Sequence, residues 1–184
     1  MDTNEPIRAI LSAALFAAEK HAGQRRKGDA AEPYVNHLLE VADLIARALP
    51  EPDTDLIIAA LLHDSIEDAG VTAQDLALRF GADVADLVSE VTDDKSLPKQ
   101  ERKRLQVENA PKKSVRAQTI KLADKISNLR SMLSSPPAGW DLERRKEYFT
   151  WAKRVVDGLT APDPILKAEF ESTVRRFDGS SDLP

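Results

Sequence analysis

Residues 59–68 read Ala-Ala-Leu-Leu-His-Asp-Ser-Ile-Glu-Asp. Four apolar side chains run straight into a segment with four that bind metal or move protons: His63, Asp64, Glu67 and Asp68. On a helix, residues four apart share a face. Glu67 then lies one turn beyond His63, and Asp68 one turn beyond Asp64. His63 and Asp64 are placed to hold a cation while Glu67 and Asp68 reach past it toward a substrate or a water. The alternative is an ordinary helix end with solvated acids, and a His-Asp pair alone does not decide between the two.

The elements that must position these groups favour chemistry. Leu56, Ile57, Ala59, Ala60, Leu61 and Leu62 make the stretch apolar nearly all round, which predicts one buried helix over 54–68. His63 and Asp64 are then deep in the fold or on the floor of a cleft, where a carboxylate has to be paired or metal-bound. His37 falls in the first turn of a predicted helix through Leu38, Val41, Leu44 and Ile45, with Asn36 as its N-cap, and is expected to be exposed enough to meet a ligand. Asp124 stands in the middle of a long predicted helix, within Lys121-Leu122-Ala123-Asp124-Lys125-Ile126-Ser127-Asn128. Asp is a mediocre helix former there, so the position suggests a specific role, with an i, i+4 ion pair as the alternative. His37, His63, Asp64 and Asp124 form a candidate ligand set drawn from three helices. Two imidazoles and two carboxylates suit a hard-to-borderline divalent ion. The helical phase of Glu67 makes it the candidate to orient or deprotonate an attacking water, with Asp68 assisting.

The 184 residues suit a single domain, 1–184, with its core over about 7–160 and a C-terminal helix and polar tail beyond. With 42% apolar and 31% charged residues the composition is that of a folded chain. Helical segments over 7–20, 72–80, 84–91, 114–133, 141–159 and 164–176 and a very polar one over 99–108, with the helices above, predict an all-α fold of about eight to ten helices. The absence of cysteine excludes thiol catalysis and thiolate metal sites. It favours Mn²⁺ or Mg²⁺ as the ion, leaves Zn²⁺ and Fe²⁺ open, and fits a reducing, cytoplasmic setting. No signal peptide is apparent at Met1-Asp2-Thr3, and no apolar run is long enough to span a bilayer. A net charge of −5 argues against general nucleic-acid binding. Local basic clusters still suit a small anion. Arg25-Arg26-Lys27 reads as a basic loop, and the very polar helix from Lys99 to Glu108 is either a solvated face or a lid over an anionic site.

The order His…His-Asp…Asp resembles the HD-domain metal-dependent phosphohydrolases. A narrower resemblance rests on longer motifs. His21-Ala22-Gly23-Gln24-Arg25-Arg26-Lys27, Pro33-Tyr34-Val35-Asn36-His37, residues 59–68, and Ile120 through Leu129 are similar to the hydrolase domain of RelA/SpoT enzymes. Val91 through Lys99, Glu101 through Glu108, and Glu147-Tyr148-Phe149-Thr150-Trp151-Ala152 are closer still to the small stand-alone alarmone hydrolases of that group, of metazoan type. The similarity covers about His21 to Leu159. Leu38 departs from it, since relatives usually carry Pro after the histidine, and so does the loop Gly28 to Glu32.

The resemblance implies an HD-type helical bundle that hydrolyses the alarmone (p)ppGpp at its 3′-pyrophosphate, with one Mn²⁺ per site, giving GDP or GTP and pyrophosphate. It implies a hydrolase only, because this length has no room for the family's synthetase or regulatory domains. It places Arg26 and Lys27 near the substrate phosphates or base, and Asn128 and Tyr148 at positions that contact the nucleoside. Lys99 is a further candidate for the outer phosphates, and His21 is expected to be structural. NADPH 2′-phosphatase activity, as in metazoan relatives, is a second expectation for the same metal site. A non-catalytic nucleotide-binding module is the rival of another class. The intact ligand set and the Glu67-Asp68 pair speak against it. Oligomeric state is left open.

Overall fold

The computed structural model describes residues 4–51 and 53–180, without the side chains of 179 and 180. Residues 1–3, 52 and 181–184 lie outside the described residues, Ser181 and Asp182 of the predicted polar tail among them. The described chain is all-α, as the periodicities predict. Its ten helices are α1 (Glu5–Lys20), α2 (Val35–Ala48), α3 (Thr54–Leu62), α4 (Ser65–Ala69), α5 (Ala73–Phe80), α6 (Ala82–Val91), α7 (Lys99–Asn109), α8 (Val115–Ser134), α9 (Leu142–Asp157) and α10 (Pro164–Ser180). No helix among them is long and apolar enough to cross a membrane.

The hub is α3, whose residues Leu56 to Leu62 are all buried. A helix apolar on every side needs neighbours on every side, and α1, α2, α6 and α8 supply them. Asp53 starts α3 by accepting the Leu56 N–H, which satisfies one of the open donors of the first turn. The 20-residue α8 runs beside α2 and α3 and is covered on another side by α9 and α10. The core does not end near residue 160 as the sequence suggests. Leu166, Phe170 and Phe177 of α10 are at most 3% exposed and join the same buried cluster as Ala13 and Phe16 of α1.

Two local expectations are corrected. The predicted helix over 54–68 is two helices, α3 and α4, separated at His63 and Asp64. The His63 ring lies 2.7 Å from the Ala60 carbonyl, the acceptor that a continuous helix would offer to residue 64. That substitution turns the chain and swings the His63 side chain inward. In α2 the cap position belongs to Tyr34, with no side-chain cap, rather than to Asn36. The turn begins earlier because the Asn36 and His37 N–H groups already bond to the Pro33 and Tyr34 carbonyls.

Candidate active site

Four imidazole and carboxylate groups meet where α2, the α3–α4 turn and α8 converge. His37 Nε2 lies 3.3 Å from Asp124 Oδ1 and 3.7 Å from Asp64 Oδ2. His63 Nε2 lies 3.2 Å from Asp64 Oδ2 and 3.8 Å from Asp124 Oδ1. One ligand atom each from His37, His63 and Asp124 falls within 4.8 Å of the others, so these three can hold a metal ion, with an Asp64 oxygen alongside. His37 is not the exposed residue its place in a first turn suggested. It is 1% exposed, packed edge-on against Tyr34 and His63.

The hydrogen bonds around the histidines fix their tautomers. The Ala60 carbonyl can only accept, so His63 Nδ1 carries the proton. Ser127 Oγ donates to Glu40 Oε2 at 2.6 Å and is left to accept from His37 Nδ1 at 2.8 Å. In the neutral rings both Nε2 lone pairs then face carboxylate oxygens, an arrangement that is repulsive unless a cation lies between. The buried His63 Nε2 makes no hydrogen bond among the described residues. Such a donor set can hold a divalent ion, with each imidazole oriented from behind by its other nitrogen.

The charge states follow from the same packing. Burial lowers the His37 pKa and keeps the ring neutral, although Asp124 opposes this. Burial acts to lower His63 too, but Asp64 and Asp124 outweigh it and raise the pKa to about 9, a proton standing in for positive charge at the cluster. Burial alone would raise both aspartates. The two histidines hold Asp64 below the ordinary carboxylate range, and Lys125 and His37 do the same for Asp124.

Each carboxylate is also held by donors outside this group. The Tyr34 hydroxyl donates to Asp64 Oδ2 at 2.6 Å. Its ring is stacked on His21 at 5.4 Å. Lys125 donates to Asp124 Oδ2 at 2.9 Å, and Asn128 Nδ2 to Asp124 Oδ1 at 2.6 Å. The i, i+4 partner of Asp124 is thus an amide, not a cation. His21 is 1% exposed and bonded to Gln24, as a structural residue would be.

Two adjoining cavities of about 470 and 320 Å³ open at this point, within the size range of small-molecule sites. The inner one is lined by His63, Asp64, Glu67, Asp68 and Asp124, and by cations of α7 and α8. The outer one is lined by Arg25, Arg26, Gly28, Ser131 and Met132. Lys27, Tyr34, Asp68, Lys99, Asn128 and Tyr148 border both. All the sequence-predicted site residues except His37 therefore line one cavity or the other, and His37 lies immediately behind. Glu67 faces the inner cavity with Oε2 accepting from the Asp93 N–H at 3.3 Å and Oε1 at 3.4 Å from Arg102. Burial raises its pKa, and the Asp93 charge adds to that. Asp68 pairs with Lys95.

The loop between α1 and α2 carries the basic residues and is fastened at both ends. The Arg26 N–H bonds to the Glu32 carbonyl and the Tyr34 N–H to that of Gln24. Gln24 Nε2 holds the Asp68 carbonyl at 2.7 Å, and the Ala30 N–H bonds to Ser135 Oγ at 2.8 Å. Arg26 donates to Asn128 Oδ1 at 3.0 Å and to Ser127 Oγ at 3.2 Å. A chain of hydrogen bonds thus runs from the outer cavity through Asn128 to Asp124. Leu38 is fully buried and serves packing.

Sequence reasoning did not assign roles to Tyr34, Asp93, Arg102, Lys103, Ser127 or Lys125. Tyr34, Ser127 and Lys125 stand inside motifs already marked, one to three residues from a ligand candidate, and that adjacency was their signal. Asp93, Arg102 and Lys103 also stand in marked stretches, 91–99 and 101–108, but which side chains of that polar helix and the loop before it reach the site is set by packing and not by local pattern.

Comparison with known proteins agrees with this geometry. The HD domain family matches residues 13–151. The guanosine-3′,5′-bis(diphosphate) 3′-pyrophosphohydrolase MESH1 of Xenopus tropicalis is 50% identical over 162 residues, 88% of this chain and 90% of its own. MESH1 of Homo sapiens is 51% identical over 158 residues, 86% of this chain and 88% of its own. A solved structure of a metazoan SpoT orthologue that hydrolyses ppGpp superposes with a TM-score of 0.87 at 47% identity, covering 91% of this chain and 94% of that one. The chain belongs to the HD domain family and, within it, to the group of the MESH1-type guanosine-3′,5′-bis(diphosphate) 3′-pyrophosphohydrolases.

Proposed function

We propose that this protein hydrolyses the 3′-pyrophosphate of (p)ppGpp, releasing GDP or GTP and pyrophosphate, with Mn²⁺ held by His37, His63, Asp64 and Asp124. The observation that carries this reading is the meeting of the two Nε2 lone pairs and two aspartate oxygens at the seam of two cavities that share a basic border. A nucleotide lying in the outer cavity delivers its ribose-linked phosphates to that seam. The activity named for the MESH1 relatives supports the substrate. The lack of any thiolate donor in the sequence supports a hard ion over a soft one, and supports the cytoplasm as the setting.

A bound divalent ion supplies charge for the phosphoryl oxygens and lowers the pKa of a water. The chain's own groups do the rest. Glu67 takes the proton from the attacking water, and burial, with the Asp93 charge, raises its pKa and makes it a stronger base than an exposed glutamate. Asp68 helps to orient that water. The water oxygen bonds to the proximal phosphorus, the bond from that phosphorus to the ribose 3′ oxygen breaks, and the 3′ oxygen takes up a proton. Arg26, Lys27 and Lys99 balance phosphate charge, while Asn128 and Tyr148 hold the nucleoside.

The deciding experiment is product analysis of the purified protein with ppGpp and with NADPH, each with Mn²⁺ and with chelator. Metal-dependent GDP and pyrophosphate from ppGpp is the expected result. Phosphate from NADPH with ppGpp untouched would replace the alarmone reading with the NADPH phosphatase one. His63→Ala and Asp64→Ala are expected to lose bound Mn²⁺ and turnover together, measured by metal analysis and rate on the same samples.

A further inference from the structure

Two ammonium groups meet one indole ring beside the metal ligands. Lys103 Nζ of α7 and Lys125 Nζ of α8 each lie 4.7 Å from the centre of the Trp151 ring on α9. Trp151 Nε1 donates to the Lys103 carbonyl at 3.0 Å, which ties α9 to α7 and fixes the ring between the two lysines' elements. Both lysines line the inner cavity together with His63, Asp64 and Glu67.

Neither lysine has a carboxylate of its own. Among the described residues, no carboxylate lies within ion-pair distance of Lys103. Lys125 is 3% exposed, and its one ion-pair partner is Asp124. Asp124 turns its other oxygen to the two histidines, so its charge is shared with the metal cluster. Burying an ammonium such as that of Lys125 without a counter-charge of its own is costly. The face of an indole offsets part of that cost, and it cannot neutralise the charge. Asp124 also places this positive pair one carboxylate away from the histidines, so an anion seated on Lys125 lies beside the cluster.

We propose that Lys103 and Lys125, carried on Trp151, form a binding site for the pyrophosphoryl group, holding it in the substrate and retaining inorganic pyrophosphate after cleavage. The assignment rests on the pyrophosphohydrolase reading for its place in the reaction. Its ligand class, a multiply charged phosphate anion, follows from two cations and a metal cluster facing one cavity.

The test is calorimetric titration of Mn²⁺-loaded protein with inorganic pyrophosphate, each addition carrying one equivalent of Mn²⁺. Wild-type protein is expected to bind it, and Lys103→Met to bind it at least tenfold more weakly with unchanged affinity for Mn²⁺. Lys125→Met is expected to weaken both pyrophosphate and Mn²⁺, because it also releases Asp124. Lys103→Gln serves as the second variant if methionine disturbs α7. No pyrophosphate binding by the wild type, or binding as tight as wild type by both Lys103 variants, would overturn the site. Failure of the site and failure of the hydrolase reading are separable. If ppGpp is cleaved but pyrophosphate binding ignores Lys103, the hydrolase stands and the site falls. If pyrophosphate binds through Lys103 while ppGpp stays intact, the site stands and the reaction falls.

Discussion

Tyr34 donates to Asp64 Oδ2 from a ring clamped between His21 and His37. Its phenol pKa is pushed up by burial and then by Asp64, so the group stays a donor at every working pH. Outer partners of this kind typically hold tenfold to a hundredfold in metal affinity. Tyr34→Phe is expected to lower Mn²⁺ affinity by roughly tenfold or more, read by calorimetry, while the remaining ring preserves the stack. Affinity equal to wild type would remove Tyr34 from the metal site. Glu67 carries a different prediction. Glu67→Gln should keep its Mn²⁺ and lose about 10²–10⁴ in kcat. Burial raises the Glu67 pKa, and a base works only when deprotonated. The wild-type rate should therefore fall, as pH drops, at a higher pH than an ordinary glutamate would give. A pH profile of the residual Glu67→Gln activity should lack that limb, and its persistence would assign the base elsewhere.

The loop from α1 to α2 works as a single element. Its backbone bridges, Arg25 to Pro33 and Gly28 to Pro137, hold Arg26 and Lys27 against the chain that follows α8. Gly28 is required there by space, since a Cβ would meet the Ser135 carbonyl oxygen at 2.1 Å. Relieving that overlap moves main chain, at about 1–3 kcal/mol. Gly28→Ala is expected to raise KM more than it changes kcat, because it shifts cations of the outer cavity and not the metal ligands. Steady-state kinetics with a thermal melt would check it, and an unchanged KM would mean that the loop does not position Arg26 and Lys27. The polar helix α7 shows the same division of labour. It has no buried residue, yet Lys99, Arg102 and Lys103 line the inner cavity. Of the two readings its composition allowed, the cavity-facing one describes where these cations lie.

On the scale of the whole molecule, α10 supports α8 from the side away from the cavities. Arg130 of α8 spans Glu40 of α2 and Glu169 of α10, and Ser127 bonds to the same Glu40 that it shares with His37's support. Phe170 is buried at 3% exposure and contributes no group to the site. Truncation of a buried Phe costs about 3–5 kcal/mol. Phe170→Ala should lower the melting temperature clearly while leaving the KM of the folded fraction near wild type. A large KM change at full folding would mean that α10 acts on the site and not only on stability.

Local pattern was enough to read the helical class and the candidate ligands. Apolar spacing at 3.6-residue period is local, and a stretch as uniformly apolar as 56–62 has to be buried. His63, Asp64, Glu67, Asp68 and Asp124 stood out because such groups are costly in apolar surroundings unless they have partners. Tertiary structure decided what depends on contacts between distant residues. The break at His63 and Asp64 comes from a side chain competing for the Ala60 carbonyl, which periodicity does not register. The burial of His37 depends on Ser127, 90 positions away, and the cation pair at Trp151 depends on three helices meeting. Pattern in a sequence reports which face of an element is buried; which side chains then touch is set by how the faces pack.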